Sequence, residues 1–538
     1  MNNKNLTIKE TFASAVQNHQ KNFFKIAENL YKEILKINPN HFGSIFYLGT
    51  LLVQTQRFKL AKSLLYKATQ INPNYAAAHN NLGATLKELG EYQNAINCCQ
   101  KAIKLNPSYA EAHYNLGLVF KELREFKKAI SCFKKAIQIH PSYIIAHQNL
   151  MEAYEKTNQE RELKSAISNA QTLIKDNPII KLYEGILLSR NEKFVEAKNC
   201  LKLISFETNE TNKEILRVST LAKCYDRIGN TDKAFNYFKK ANLLSQKTKI
   251  KNFDKNKYLQ EIKIRKEFFK KSNIEKWPTL KQPDNEPNPI FLIGFPRSGT
   301  TLLDTILRSH PLIEVVEEQF MVEQLINSLN QLPNGGLEDL KEIENEQIIK
   351  IRKTYFESLE SQIQNKNNTK LYIDKLPLNI IHVGEIVRIF PNAKFIVSLR
   401  HPCDCVLSCF MQDFELNDAM ANFLNLDDAA HLYDAVMNLW TQYTSIFSIN
   451  YHEVKYENLI ENFEPTVRSI LNFLELSWDD AVLNYLITAK KRDRITTPSY
   501  YQVTKPIYSY AIGRWQRYKK QTSNIYPILE GWIKKFNY

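Results

Sequence analysis

The stretch NPIFLIGFPRSGTTLLDTILRSH, residues 288–310, decides the fold. An apolar run from Ile290 to Ile293 leads into a glycine-containing loop, and beyond Gly299 the apolar residues return at helical spacing. Strand, loop and helix in that order make a phosphate cradle, and Gly294 to Thr301 nearly spells G-x-x-x-x-G-K-[ST]. Thr300 stands where the lysine belongs. The ligand must then be an anion that needs no lysine from the loop.

Three further strand-like runs follow: KLYIDKL (370–376), AKFIVSLR (393–400) and NYHEVKYENL (450–459). Helical patterns such as NIIHVGEIVRIF and DDAAHLYDAVMNLWTQYTSIF separate them. Strands alternating with helices imply an α/β domain, its parallel sheet covered on both faces. Ligands of such sheets sit at the carboxyl ends of the strands. The polar segments PRSGTT, DKLP and RHPCDCVLS fall at three of those ends. Backbone amides of Ser298, Gly299, Thr300 and Thr301 at a helix start are expected to hold an oxyanion, with the two threonine hydroxyls beside them. Arg297 and Lys375 are the candidate cations. A triphosphatase would also need its loop lysine and magnesium, and no aspartate is evident after a strand to bind that ion.

Outward on the N-terminal side lies a repeat. Pro39, Pro73, Pro107 and Pro141 recur at an interval of 34, as do Gly49, Gly83 and Gly117, with Met151 at the next equivalent position. Ala27, Ala61, Ala95 and Ala129 keep the interval, and so do Phe24, Phe58, Tyr92 and Phe126. This resembles tetratricopeptide repeats, which implies an α-solenoid of helical pairs whose small residues let two helices cross closely. Weaker copies continue to about residue 247, so six or seven pairs are expected. The domains read as a repeat solenoid over 1–249, a linker helix and extended linker over 250–287, and the α/β domain over 288–538. The solenoid's groove would take a protein or peptide; a dimerisation or spacer arm, giving a homodimer, is the alternative. Tyr75 and Tyr109, at equivalent positions, read as packing residues.

Composition is that of an ordinary folded protein, 43% hydrophobic and 24% charged. The formal net charge is +15, but the lysines are spread rather than blocked. No nucleic-acid partner is indicated; the charge fits an anionic small ligand or a lysine-rich proteome. MNNKNLTIKETFASAVQNHQ has no apolar signal core, and no run approaches the roughly 18 apolar residues of a membrane helix. The eight cysteines form no C-x-x-C pair and no histidine spacing suggests zinc. A cytoplasmic protein with reduced thiols and no metal is expected.

Taken together, FPRSGTTLLDTIL, DKLP and LRHPCDCVLSCF resemble the sulfotransferases that use 3′-phosphoadenosine 5′-phosphosulfate, and most closely the tyrosyl-protein sulfotransferases and bacterial fusions of tetratricopeptide repeats to such a domain. A donor with a single sulfurylated 5′-phosphate has no γ-phosphate, which accounts for the missing lysine. The resemblance implies that Arg297 to Thr301 bind the 5′-phosphosulfate, that Arg400 and Ser408 bind the 3′-phosphate, and that Lys375 contacts the sulfuryl or bridging oxygen. Tyr456, Ser499 and Lys505 match further nucleotide contacts, with core packing an equal reading for Tyr456. In SHPLIEVVEEQF, Glu317 and Glu318 are expected just after the first helix. By the resemblance Glu318 is the catalytic base, suited to take an acceptor proton as oxygen attacks sulfur. Two departures bear on the acceptor: Phe320 replaces an arginine that meets acidic substrates, and Val316 replaces a glycine. A tyrosyl-protein acceptor leads, followed by a glycan or another hydroxyl compound. A P-loop kinase and a non-catalytic repeat scaffold are the readings from other classes.

Overall fold

The computed structural model describes residues 7–250, 253–275, 277, 288–363, 371–492, 503–505 and 509–538. The chain divides into two compact units, Met1–Glu192 and Lys193–Tyr538.

In the first unit the 34-residue period becomes antiparallel helical pairs: Phe42–Gln54 with Phe58–Ile71, Ala76–Glu88 with Tyr92–Leu105, and Ala110–Glu122 with Phe126–Ile139. Ala27, Ala61, Ala95 and Ala129 are fully buried at the crossings. A Cβ on Gly49, Gly83 or Gly117 would lie 2.9, 2.6 or 2.6 Å from Leu65, Cys99 or Phe133 of the paired helix. The periodic glycine is thus a demand for close approach. Between the helices of successive pairs, Asn22, Gln56, Gly90, Arg124 and Asn158 all take left-handed φ, 62°, 58°, 76°, 59° and 55°. The amide that follows each closes back across the helix end, as in Phe23 to Asn18, Arg57 to Leu52 and Glu91 to Leu86 at 2.9, 2.8 and 2.9 Å. These bonds satisfy helix-end carbonyls and offset the roughly 1–2 kcal/mol that a side chain costs in that conformation. His79, His113 and His147 share the period and each bonds the carbonyl of Pro73, Pro107 or Pro141, at 2.9, 3.0 and 2.8 Å. Tyr75 packs its ring on Phe42 and Phe46.

The second unit begins with helices Phe194–Lys202, Thr211–Arg227, Thr231–Lys249 and Lys255–Phe268. On the last of these, Arg265 makes a buried 2.8 Å ion pair with Glu385. Five parallel strands follow: β1 (Ile290–Gly294), β2 (Ile313–Glu317), β3 (Leu371–Lys375), β4 (Lys394–Leu399) and β5 (Asn450–Lys455), in spatial order β2-β3-β1-β4-β5. Ile290, Leu292, Ile373 and Ile396 pack on Leu303, Ile306 and Leu307 of the Thr300–Leu307 helix. On the opposite face Phe291 stacks on Phe395 at 5.4 Å and meets Tyr355, of helix Asn345–Gln362, at 5.9 Å.

One strand exceeds the four expected. The acidic pair, expected just after the first helix, lies instead at the end of β2, whose last residue is Glu317. Only five residues long and bearing glutamates at two of them, β2 has no apolar run to betray it. Sequential strands flank β1 on both sides, so chain direction across the sheet reverses there, the place where open parallel sheets bind ligands.

Gly90 has open space around it and needs only its left-handed φ, whereas Gly83 is pressed on Cys99 and on the Ala95 carbonyl. In urea denaturation of the full chain, Gly90→Ala should cost about 1 kcal/mol. Gly83→Ala should cost more, about 1–3 kcal/mol. The reverse order would show that the helix crossing is not what requires the periodic glycine.

Candidate active site

The loop after β1 is held open by backbone geometry that side chains disfavour. Gly294 has φ 153°, and a Cβ there would lie 2.5 Å from the Ser398 carbonyl. Gly299 has φ 107°, and its Cβ would lie 2.6 Å from the Tyr456 ring. Arg297 itself is left-handed at 69°. The Ser398 hydroxyl donates to the Ser298 carbonyl at 3.0 Å and fixes the loop to β4. Of the amides expected to hold the anion, that of Ser298 donates to the Phe295 carbonyl at 3.1 Å. The loop tightens into a turn there and spends that donor. Gly299 and Thr300 remain at the helix start, where amides lack intrahelical acceptors. The Ser298 hydroxyl is buried with no hydrogen-bond partner among the described residues, and Thr300 and Thr301 are buried beside it.

Arg400 follows β4, and Ser408 lies on the helix Pro402–Phe410. Both meet the loop through Arg297. The Arg297 Nε donates to the Ser408 hydroxyl at 3.1 Å, and Arg400 Nη1 donates to the Arg297 carbonyl at 3.1 Å. Arg400 Nη2 donates to the Ala511 carbonyl at 2.5 Å, and its guanidinium lies 5.1 Å from the centre of the Tyr456 ring. Its Nε is buried without a hydrogen-bond partner among the described residues. Tyr456, at the end of β5, therefore walls both Gly299 and Arg400. A glycine cradle and a hydroxyl unpartnered among the described residues on the loop after β1, with the Arg400 Nε after β4, suit an anionic group.

One strand over, Lys375 ends β3 fully buried, opposite Glu317 in the β2–β3 register. Its ammonium donates to Glu318 at 2.8 Å and to Glu317 at 3.4 Å. Glu318 takes a left-handed φ of 48° while its amide donates to the Lys375 carbonyl at 2.8 Å. Side-chain exposure separates the pair: 27% for Glu318 and 7% for Glu317. Glu317 also pairs with Arg492, which reaches Asp304 at 3.4 Å and the Thr305 hydroxyl at 3.3 Å. Asp304 takes a further ion pair from Arg308 at 2.7 Å. Burial alone would raise the Asp304 carboxyl, but Arg308, Arg492 and Lys375 outweigh it and hold it below the usual carboxylate range.

Sequence reasoning missed Arg492, Asp304 and Ala511. A carboxylate within the apolar TLLDTIL face was a signal for Asp304; Arg492 lies in a basic run without periodicity, and a backbone carbonyl leaves no signal at all. Ser499 lies outside the described residues, and Lys505 is half-buried. Phe320 stands 61% exposed at the start of the helix Met321–Asn330. Among the described residues no group of three or more His, Cys, Asp or Glu is placed to hold a metal ion. No helix among them is long and apolar enough to cross a membrane.

Residues 289–480 match the sulfotransferase family, and residues 64–97, 85–123, 110–143 and 219–248 match tetratricopeptide repeats. An uncharacterized protein of Aquifex aeolicus is 31% identical over 59% of this chain and 41% of its own length. Protein-tyrosine sulfotransferase 2 of Gallus gallus is 25% identical over 42% of this chain and 62% of its own length. The chain thus spans less than two thirds of either relative. A crystal structure of MamA shares 32% identity, covering 29% of this chain and 92% of that one, with a TM-score of 0.28. The chain carries tetratricopeptide repeats and a sulfotransferase-family domain.

Asp374, beside Lys375 but buried on the Tyr355 side, has its carboxyl pushed up to about 8 by burial. Its proton is therefore held more tightly in the folded chain than in the unfolded one. Stability from this group is complete near the ordinary carboxyl pKa of about 4 and is lost as pH rises toward 8. Asp374→Asn should gain stability relative to wild type on going from pH 5 to pH 8 in urea denaturation. A constant difference across that range would contradict a buried neutral acid.

Proposed function

We propose that this domain transfers the sulfuryl group of 3′-phosphoadenosine 5′-phosphosulfate to an acceptor hydroxyl, with a protein tyrosine as acceptor. The observation that carries the reading is the 2.8 Å contact of buried Lys375 with Glu318 at the strand ends next to the glycine loop. In this scheme the Gly299 and Thr300 amides, Thr301, Ser298 and Arg297 receive the 5′-phosphosulfate. Arg400, Ser408 and Tyr456 receive the 3′-phosphate and nucleoside, with Ser499 and Lys505 as the late contacts. Glu318, the more exposed glutamate of the pair, takes the proton of the acceptor hydroxyl. The acceptor oxygen bonds to sulfur as the bond from sulfur to the bridging phosphate oxygen breaks. The electron pair leaves on that oxygen, where Lys375 and Arg297 stabilise it. Glu317, turned to Arg492, is held out of the proton transfer. No step requires a metal ion.

The tyrosine acceptor is supported by the relatives named protein-tyrosine sulfotransferases. The exposed ring of Phe320 favours a second reading, a glycan or other non-acidic hydroxyl compound. The repeats are read as recruiting the acceptor by raising its concentration near the site. Free thiols at all eight cysteines support a cytoplasmic setting.

Labelled sulfate should pass from the donor to tyrosine peptides in the wild type. Glu318→Gln, which keeps size but cannot take the proton, should lower the rate by about 10²–10⁴-fold. Its donor affinity should survive, whereas Glu317→Gln should keep turnover closer to wild type. Normal turnover in Glu318→Gln would remove it as the base, and no transfer to any hydroxyl by the wild type would overturn the reading.

A further inference from the structure

Asp226 lies near the end of the helix Thr211–Arg227, outside the residues given a part in sulfuryl transfer, yet several side chains of the C-terminal segment bond it. It is buried and accepts from Tyr510 at 2.9 Å, Arg514 at 2.7 Å and Tyr518 at 2.7 Å, with Arg517 at 3.5 Å. Its own carbonyl accepts from Tyr510 at 3.1 Å. Four side chains within nine residues of the C-terminal segment thus converge on one helix position. The same segment is gripped from the other side. Asp404, on the helix that carries Ser408, accepts from the amides of Gly513 and Trp515, both at 2.7 Å.

Between these two anchors the segment delivers one contact to the site, the Ala511 carbonyl on Arg400 Nη2. Arg400 is planar, and its two terminal nitrogens are both committed to carbonyls, those of Arg297 and Ala511. Fixing two corners of a rigid fork fixes the third, the buried Nε, which has no hydrogen-bond partner among the described residues. We propose that Asp226 is a positioning residue for the nucleotide site: by holding residues 510–518 it sets the Ala511 carbonyl and so aims Arg400 at a phosphate. This rests on the reading of Arg400 as a ligand of the 3′-phosphate. It gives a helix of the region matching tetratricopeptide repeats a part in donor binding, beyond any part in holding an acceptor.

The test compares the affinities of the full chain for adenosine 3′,5′-bisphosphate and adenosine 5′-monophosphate by calorimetry. A loss of folded protein alters the amount that binds but not the ratio of the two affinities, so the ratio isolates positioning from folding. Asp226→Asn should lower the ratio about tenfold, equivalent to one charge-assisted contact. Tyr510→Phe, which keeps the ring and removes the hydroxyl's bonds to the Asp226 carboxylate and carbonyl but leaves Arg514 and Tyr518 on the carboxylate, should lower it less. It serves where Asp226→Asn fails to fold. A normal wild-type ratio that survives the substitution overturns the role of Asp226 alone. A wild-type ratio near one overturns the phosphate reading of Arg400, and this role with it.

Discussion

A buried ammonium has to be matched, and Lys375 is the group around which the site is organised. Leaving such a charge unpaired inside a protein costs several kcal/mol. Glu318 and Glu317 match it at 2.8 and 3.4 Å, and Glu317 in turn needs Arg492 because one lysine cannot satisfy two carboxylates. Arg492 reaches Asp304, and Asp304 reaches Arg308. Three carboxylates and three cations alternate along this chain. Its first link requires β2 to lie beside β3 with Glu317 opposite Lys375. Its last requires the Thr300–Leu307 helix to turn Asp304 inward, where it is fully buried.

The same arrangement sets a buried cation beside a glycine loop in which Thr300 stands at the lysine position. Lys375 lies on the strand next to that loop, where pairing with carboxylates holds it in place. The loop can then close more tightly, and it does: the Ser298 amide turns to Phe295, and Gly294 sits against the Ser398 carbonyl. Arg297 joins the loop to Ser408, and Arg400 joins it to the C-terminal segment. Left-handed backbone at Arg297 and Glu318, φ 69° and 48°, falls once in the loop after β1 and once directly after β2.

Much of this was legible in the residues because the constraints were local and repeated. A 34-residue period with glycine and alanine at fixed places has few explanations other than paired helices, and β1 and β4 are apolar enough to read directly. β2 was not legible, since Glu314 and Glu317 interrupt its short apolar pattern and Glu317 belongs to the charge chain. The left-handed turns of the repeats were hidden as well, because Gln56 and Arg124 occupy them where glycine would have given notice. Lys375, Glu318, Arg400 and Ser408 could be placed by motif, but not their wiring. Ser408 bonds Arg297, and Arg400 depends on the Ala511 carbonyl, a contact no side-chain pattern encodes.

The most direct measurement is a crystal structure of the chain with adenosine 3′,5′-bisphosphate. The 5′-phosphate should lie against the Gly299 and Thr300 amides and the Ser298 hydroxyl, with Lys375 facing it, and the 3′-phosphate should meet Arg400 Nε and Ser408. A nucleotide bound with its 3′-phosphate away from Arg400, or with its 5′-phosphate outside the loop between β1 and the Thr300–Leu307 helix, would contradict the site described above.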